Sequence, residues 1–256
     1  MKVPPDRPCP YNELMLRWIH DLKRRRLEPE LMDDPALALP SHHAALGGLE
    51  RINRLSFSIR RIWNPIAALA RKHPEQTIKV LDVATGAGDI PIGLWQRAHR
   101  AGLNIEVAGC DASDRAIQFA QNRAKAHKAD VHFFQIDAVA QPLPEGYDVV
   151  TCSLFLHHLQ EHHVIALLAA MSKAAAKMIV ISDLNRTAMG YALAVVVTRL
   201  LTRSKVVHTD GPLSVAGAFT MEEAHRLAQK AGLAGASLHR IFPSRWRLIW
   251  HRETSS

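Results

Sequence analysis

With 256 residues, 48% of them hydrophobic and 22% charged, the chain can bury a full core, which excludes an intrinsically disordered protein and sets the expectation of one globular unit with an appended cap. Three scattered cysteines, Cys9, Cys110 and Cys152, exclude a disulfide framework and a CxxC zinc site, and no apolar run reaches the roughly 18 residues of a membrane span or gives "MKVPPDRPCPYNE" the character of a signal peptide, so a soluble, cytoplasmic protein is expected. The net charge of +8 is dispersed, so nucleic acid is not the expected partner, while peripheral contact with a membrane surface stays open.

In chain order, Tyr11 to Leu27 and Ser56 to Arg71 read as helices joined by an irregular stretch, and residues 1–75 together read as a helical N-terminal extension or cap. The run Lys23-Arg24-Arg25-Arg26 falls near the end of the first helix, where positive side chains complement the helix dipole; a solvated helix end and an anion contact both fit it. From Lys79 onward, short apolar runs alternate with helical patterns: "KVLDVA", a helix to Ala101, "IEVAGCDA", a helix over Arg115 to His127, "VHFFQID", "YDVVTCSLFLHHL", a helix over His163 to Ala175, and "KMIVISDLN". Parallel connections need crossovers, so this alternation predicts an α/β fold with a Rossmann-like, doubly wound sheet over residues 76–256. Its strands end in Asp82, Asp111, Asp137, Ser153 and Asp183, and in an open α/β sheet the ligand crevice lies beyond those carboxyl ends.

Residues 186–219 depart from the alternation and read as a substrate-side insertion. "AMGYALAVVVTRLL" is one apolar helix length, and "TRSKVVHTDGPLSVAGAFT", with its glycines and proline, reads as a loop. Thr220 and Glu223 then form a capping box that opens a helix closed by Gly232, and "ASLHRIF" with "RWRLIWHR" predicts a terminal antiparallel hairpin. No internal repeat is visible.

The stretch "VLDVATGAGDIPIGL", Val80 to Leu94, joins a buried strand to a helix through Thr85-Gly86-Ala87-Gly88. Glycine at this joint admits positive φ and lets a ligand approach the backbone, and Pro91 suits the opening turn of the helix. A dinucleotide site would place a pyrophosphate at that helix start and a glycine or alanine where Pro91 stands; Asp89 would repel the phosphates, whereas a sulfonium cofactor carries positive charge and tolerates acids.

Through "LDVATGAGD" the chain resembles class I S-adenosylmethionine-dependent methyltransferases, and in particular the small-molecule type of the ubiquinone/menaquinone methyltransferase group. The resemblance covers about Lys79 to Arg252. It implies a seven-stranded sheet, mostly parallel, with the last strand inserted antiparallel, and S-adenosylmethionine as cofactor with S-adenosylhomocysteine as product. It assigns Asp82 to the loop and the methionine ammonium, and Ala84, Gly86 and Gly88 to backbone contact with the cofactor. Asp111, with Ala112, falls at the ribose hydroxyls, Asp137 and Ala138 at the adenine, and Ser153 on the same crevice. Many members of the family carry glycine where Ala84 stands.

Methyl transfer from a sulfonium is an in-line displacement, so positioning dominates and a base is needed only where the acceptor must lose a proton. Histidine suits that role, and "SLFLHHLQEHH" directly follows the fourth strand. His157 and His158 are the first candidates; adjacent histidines point apart on a helix, so at most one of them is expected to be catalytic. His208, beside Asp210 in "VVHTDGPLS", is a second candidate. His158 and His162 have the spacing of a helical metal pair but lack a third ligand nearby, so no metal site is expected. The apolar segment Ala188 to Leu201, with Trp18, Phe57 and Trp63, suits an apolar, lipid-like aromatic acceptor such as a phenol or quinol, or a polyketide-like one, or alternatively packs cap against core. An RNA or protein methyltransferase and a non-catalytic binding scaffold are the other readings. The acceptor atom, oxygen or carbon, and the oligomeric state are not readable from the sequence.

Overall fold

Strand β1 (Ile78–Val83) is apolar on both faces, and that composition places it in the middle of a sheet. In the computed structural model, which describes residues 22–33, 38, 45, 47–48 and 58–253, β1 pairs in parallel with β2 (Ile105–Asp111) on one side and β4 (Tyr147–Ser153) on the other. The strands β3 (Val131–Gln135), β5 (Ala175–Leu184), β6 (Ser237–Ile241) and β7 (Arg245–His251) complete a seven-stranded sheet of order β3-β2-β1-β4-β5-β7-β6. The first five strands run parallel; β7 is inserted antiparallel between β5 and β6, as expected. The order reverses direction between β1 and β4, and the crevice of a doubly wound sheet opens at that switch.

Strand side chains alternate between faces, and both faces are covered. On one, α1 (Ser58–Lys72) and α2 (Asp89–Ala101) bring Ile62, Trp63, Ile66 and Leu94 against Ile78, Val80, Met178 and Val180. Trp63 therefore packs on the sheet; Trp18 and Phe57 lie outside the described residues. On the other face, α4 (Glu161–Ala174) and α7 (Met221–Lys230) pack Leu167, Leu168, Met171 and Leu227 onto Leu81, Val83, Val150, Ile179 and Trp246. The edge helix α3 (Asp114–Ala126) covers β2 and β3. Cys110 and Cys152 are free thiols within the sheet, and Cys9 lies outside the described residues. No helix among the described residues is long and apolar enough to cross a membrane.

Two expectations are corrected. The stretch read as a loop is helical: after α5 (Ala188–Leu201), Ser204 caps α6 (Lys205–Gly217), which carries Pro212 inside it. Its glycines serve packing rather than turning. A Cβ at Gly211 would lie 2.6 Å from Thr198 Cγ2, and one at Gly217 would lie 3.0 Å from the His157 carbonyl oxygen, so glycine lets α6 approach both neighbours. The second correction concerns residues 22–27, read as the last turns of the first helix: they form a turn followed by irregular chain, while Tyr11 to Asp21 lies outside the described residues.

This segment clasps the insertion. Arg25 donates from Nε to the Gly217 carbonyl at 2.5 Å and from Nη2 to the His157 and Leu159 carbonyls at 2.9 and 2.7 Å, while its guanidinium lies 3.9 Å above the Phe219 ring. Lys23, Arg24 and Arg26 stay exposed. Buried Arg186 donates to the Leu22 and Ala218 carbonyls and grips Glu223 in two-pronged fashion at 2.6 and 2.9 Å. Glu223 also closes the Thr220 capping box, so one carboxylate starts α7 and neutralises the guanidinium. Glu223→Ala leaves that buried cation unpaired, and an expected loss of about 3 kcal/mol follows, readable in urea denaturation. Glu223→Gln, which can still cap, is expected to lose less.

Candidate functional site

Beyond the carboxyl ends of β1, β4 and β5 lies a cavity of about 500 Å³, roofed by α5, α6 and the segment that carries Glu30 and Met32. Most of its wall is apolar, with Leu193, Ala194, Val197, Leu201, Val207 and Val215 contributed by α5 and α6. Residues 186–219 therefore form one side of the cavity.

The glycine loop forms the opposite side. Gly86 and Gly88 adopt φ of 53° and 74°, as the sequence requires, and Ala84 is forced to 55° without being glycine. A Cβ on Gly86 would meet no atom, whereas one on Gly88 would lie 2.9 Å from both Ala120 Cβ and Phe133 Cζ. Gly86 and Ala84 line the cavity, while Gly88 is needed for packing against α3 and β3. Asp111 holds the loop from below, accepting the Gly86 N–H at 2.8 Å and the Ser113 N–H at 2.9 Å. Each carboxylate oxygen has a second lone pair, so a ligand hydroxyl can share it.

Asp82, 1% exposed, accepts a hydrogen bond from Thr151 Oγ1 at 2.6 Å. Burial pushes its carboxyl up to about 7, against the Thr151 hydrogen bond and with help from the charges of Asp89 and Asp111. In the same wall Arg245 is lowered to about 10 by burial and by Arg61, while Asp183 and Asp89 work in the opposite direction, so it stays charged near neutral pH.

At the far end, Ser153, Leu154, His157 and His158 enter from β4. The two histidines lie in a 3-10 turn, Leu156–His158, not in a helix, and α4 starts only at Glu161. Both line the cavity, with ring centroids 4.3 Å apart, so the expectation that they point apart on a helix is corrected. The same break removes the helical basis for pairing His158 with His162, which instead contacts the His163 ring. His157 is buried with Nδ1 2.6 Å from Asp183 Oδ1. Burial raises the Asp183 carboxyl, but the His157 ring and the Leu184 N–H outweigh it and hold the group below the usual range. An ionised Asp183 fixes the proton of His157 on Nδ1 and leaves Nε2 as the basic nitrogen.

The other candidates lie apart from the cavity. His208 Nε2 is 2.8 Å from the Thr202 carbonyl, and the ring is not part of the wall; its neighbour Asp210 is, and binds the Leu31 and Met32 N–H groups. Asp137 is exposed and closes a turn by accepting the Val139 N–H, Ala138 is buried in the core, and exposed Ala112 accepts from Gln135. These three sit by the ends of β2 and β3, on the Asp111 side of the glycine loop. Glu30, Asp183 and Arg245 were not among the candidates. Asp183 was visible as a strand-end acid, whereas nothing in the sequence marks Glu30 or Arg245.

The fold is one shared with solved methyltransferase structures. Residues 80–177 match the family described as "Methyltransferase domain". A demethylmenaquinone methyltransferase of Deinococcus radiodurans is 33% identical over 113 residues, 43% of this chain and 45% of that one. A ubiquinone biosynthesis O-methyltransferase of Thiobacillus denitrificans is 29% identical over 161 residues, 60% of this chain and 64% of that one. The chain thus matches less than two thirds of the length of these relatives. Among solved structures, magnesium protoporphyrin IX methyltransferase from Synechocystis PCC 6803 with bound SAH aligns with a TM-score of 0.54 at 17% identity over 95% of both chains. A plantazolicin methyltransferase in complex with a triazolic desmethylPZN analog and SAH gives 0.66 at 14% identity over 95% of this chain and 98% of that one. Residues 80–177 thus match a methyltransferase domain, and the chain is similar over part of its length to methyltransferases named for menaquinone and ubiquinone biosynthesis.

Ala84 carries a methyl group in the left-handed region, which costs about 1–2 kcal/mol. Ala84→Gly is expected to gain about 1 kcal/mol in chemical denaturation; an unchanged or lower midpoint would mean that the methyl group packs well enough to offset the strain.

Proposed function

We propose that the chain transfers the methyl group of S-adenosylmethionine to an apolar small molecule bearing an acidic hydroxyl, a phenol or quinol. The observation that carries this reading is the single cavity that joins the glycine loop to the His157–Asp183 pair between apolar walls. Relatives named for demethylmenaquinone and ubiquinone biosynthesis support the quinol-like acceptor.

The cofactor lies across the ends of β1 and β2, with Gly86 free to meet it, Asp82 facing its ammonium and sulfonium charges, and Arg245 suited to its carboxylate. Asp111 and Ala112 take the ribose, and Asp137 with Ala138 the adenine edge. The acceptor occupies the space between α5, α6 and the histidines. In the metal-free protein His157 Nε2 takes the acceptor proton, and the developing imidazolium is stabilised by Asp183. The phenolate shares its charge between oxygen and the conjugated ring carbons, so the same deprotonation serves O- or C-methylation. Attack on the methyl carbon breaks its bond to sulfur, whose electron pair stays with the departing neutral thioether. Holding nucleophile and methyl in line is the larger contribution, up to about 7–11 kcal/mol in intramolecular models.

The raised Asp82 carboxyl makes cofactor binding pH-dependent. In the free protein the folded state keeps a proton that the unfolded chain releases near pH 4, so this group lowers stability as pH rises from about 4 to about 7. A positively charged ligand favours the ionised form and releases that proton. Calorimetric titration with S-adenosylmethionine and S-adenosylhomocysteine, beside NAD, is therefore expected to show micromolar binding of the sulfur cofactors only. Affinity should rise by about fivefold from pH 6 to pH 7 and flatten above about pH 8, with proton release at pH 6. Asp82→Asn should weaken binding and flatten that profile, and Asp111→Ala should abolish binding in folded protein. Equal binding of NAD, or none of any, would overturn the reading.

A further inference from the structure

We propose that Glu30, His157 and His158 form a binding site for a divalent transition-metal ion of the zinc type at the acceptor end of the cavity. One ligand atom from each lies within 4.8 Å of the other two, and all three side chains line the cavity. Two imidazoles and one carboxylate are a donor set that zinc, cobalt and ferrous ions favour, and three protein ligands with the remaining positions open is the arrangement of catalytic rather than structural sites.

The spacing argues for a gap to be filled rather than for a completed contact. His158 Nδ1 and Glu30 Oε1 are 3.8 Å apart, too far for a hydrogen bond. Ligands on a tetrahedral ion with bonds of about 2.0–2.1 Å stand roughly 3.4 Å from one another, so small rotations of His158 and Glu30 close the set.

The supporting contacts are those a metal site requires. With Nδ1 of His157 on the Asp183 carboxylate at 2.6 Å, Nε2 is the nitrogen left for the ion, a carboxylate–histidine–metal relay. Ser214 donates to Glu30 Oε1 at 2.6 Å, which orients the carboxylate and leaves Oε2 and a lone pair of Oε1. Asp210 pins the next two residues of the chain through their N–H groups at 2.9 and 3.0 Å, and Arg25 holds the carbonyls on either side of His158. The third ligand that the histidine spacing lacked is thus supplied from 128 residues upstream of His158, by the segment clasped over the cavity.

The inference deepens the methyl-transfer reading and rests on it for its consequence. The acceptor hydroxyl coordinates at an open position, where a divalent ion acidifies it, and its proton leaves to solvent. His157 is then a ligand rather than the base. The oxygen, or the ring carbon conjugated with it, displaces the sulfur as before, so no further reactant is needed.

The test is titration of chelator-treated, full-length protein with Co²⁺, followed by visible absorption, and with Zn²⁺ by calorimetry, both without cofactor or acceptor. One equivalent bound at micromolar or lower Kd, weakened at least tenfold in Glu30→Gln and in His158→Ala but unchanged in His162→Ala, is expected. Circular dichroism checks the fold of each variant. No stoichiometric binding, or binding unaffected by both substitutions, would overturn the proposal. S-adenosylmethionine titration of the same native, chelator-treated protein separates the two readings, since cofactor binding without metal binding in that protein sinks only the metal site.

Discussion

A carboxylate sealed inside the end of a parallel strand is costly unless something meets its charge, and this fold has two, Asp82 on β1 and Asp183 on β5. They are handled in opposite ways. Asp82 has the Thr151 hydroxyl, and burial leaves it near the midpoint of its titration at neutral pH, ready to ionise when a cation arrives. Asp183 has an imidazole and a backbone N–H, and it is held ionised. The difference gives the cavity one end with a carboxyl that a nearby cation would ionise and another with an ionised carboxylate paired to an imidazole.

The rest of the structure brings those ends into one enclosure. The strand order places β1, β4 and β5 side by side, so their carboxyl ends share a rim. Helices α5 and α6 supply the apolar walls, and they approach closely because Gly211 faces Thr198. Arg25 and Arg186 tie the segment before Glu30 to the His157 turn and to α7, so this side of the cavity is held together by distant parts of the chain. A loosened clasp would shift Glu30 and the histidine turn together.

Much of this is legible in the sequence because it rests on local rules. The strand, glycine turn and helix from Val80 to Leu94 follow from apolar periodicity and from residues that tolerate positive φ, and the Thr220 capping box is a pattern four residues long. The parallel direction of the first five strands follows once crossovers are required between them, whereas the antiparallel insertion of β7 is implied only by the family resemblance. Helix α6 is not legible, because Gly211, Pro212 and Gly217 look like turn residues until Thr198 and the His157 carbonyl are known to lie against them. Nor is the geometry of His157 and His158, since a 3-10 turn lets neighbouring side chains share a wall that an α-helix would separate. Glu30 has no sequence signal because its meaning depends wholly on the tertiary clasp.

The most direct measurement is transfer of a tritiated methyl group from S-adenosylmethionine to a panel of simple phenols and hydroquinones, with and without an isoprenoid tail, read as label extracted into organic solvent. Labelled product is expected, with the rate reduced about a hundredfold in folded Asp183→Asn protein, the scale of a lost proton-transfer pair. Cofactor binding without extractable label from any acceptor, or an Asp183→Asn protein as active as the native chain, would contradict the assignment of the histidine end of the cavity to the acceptor.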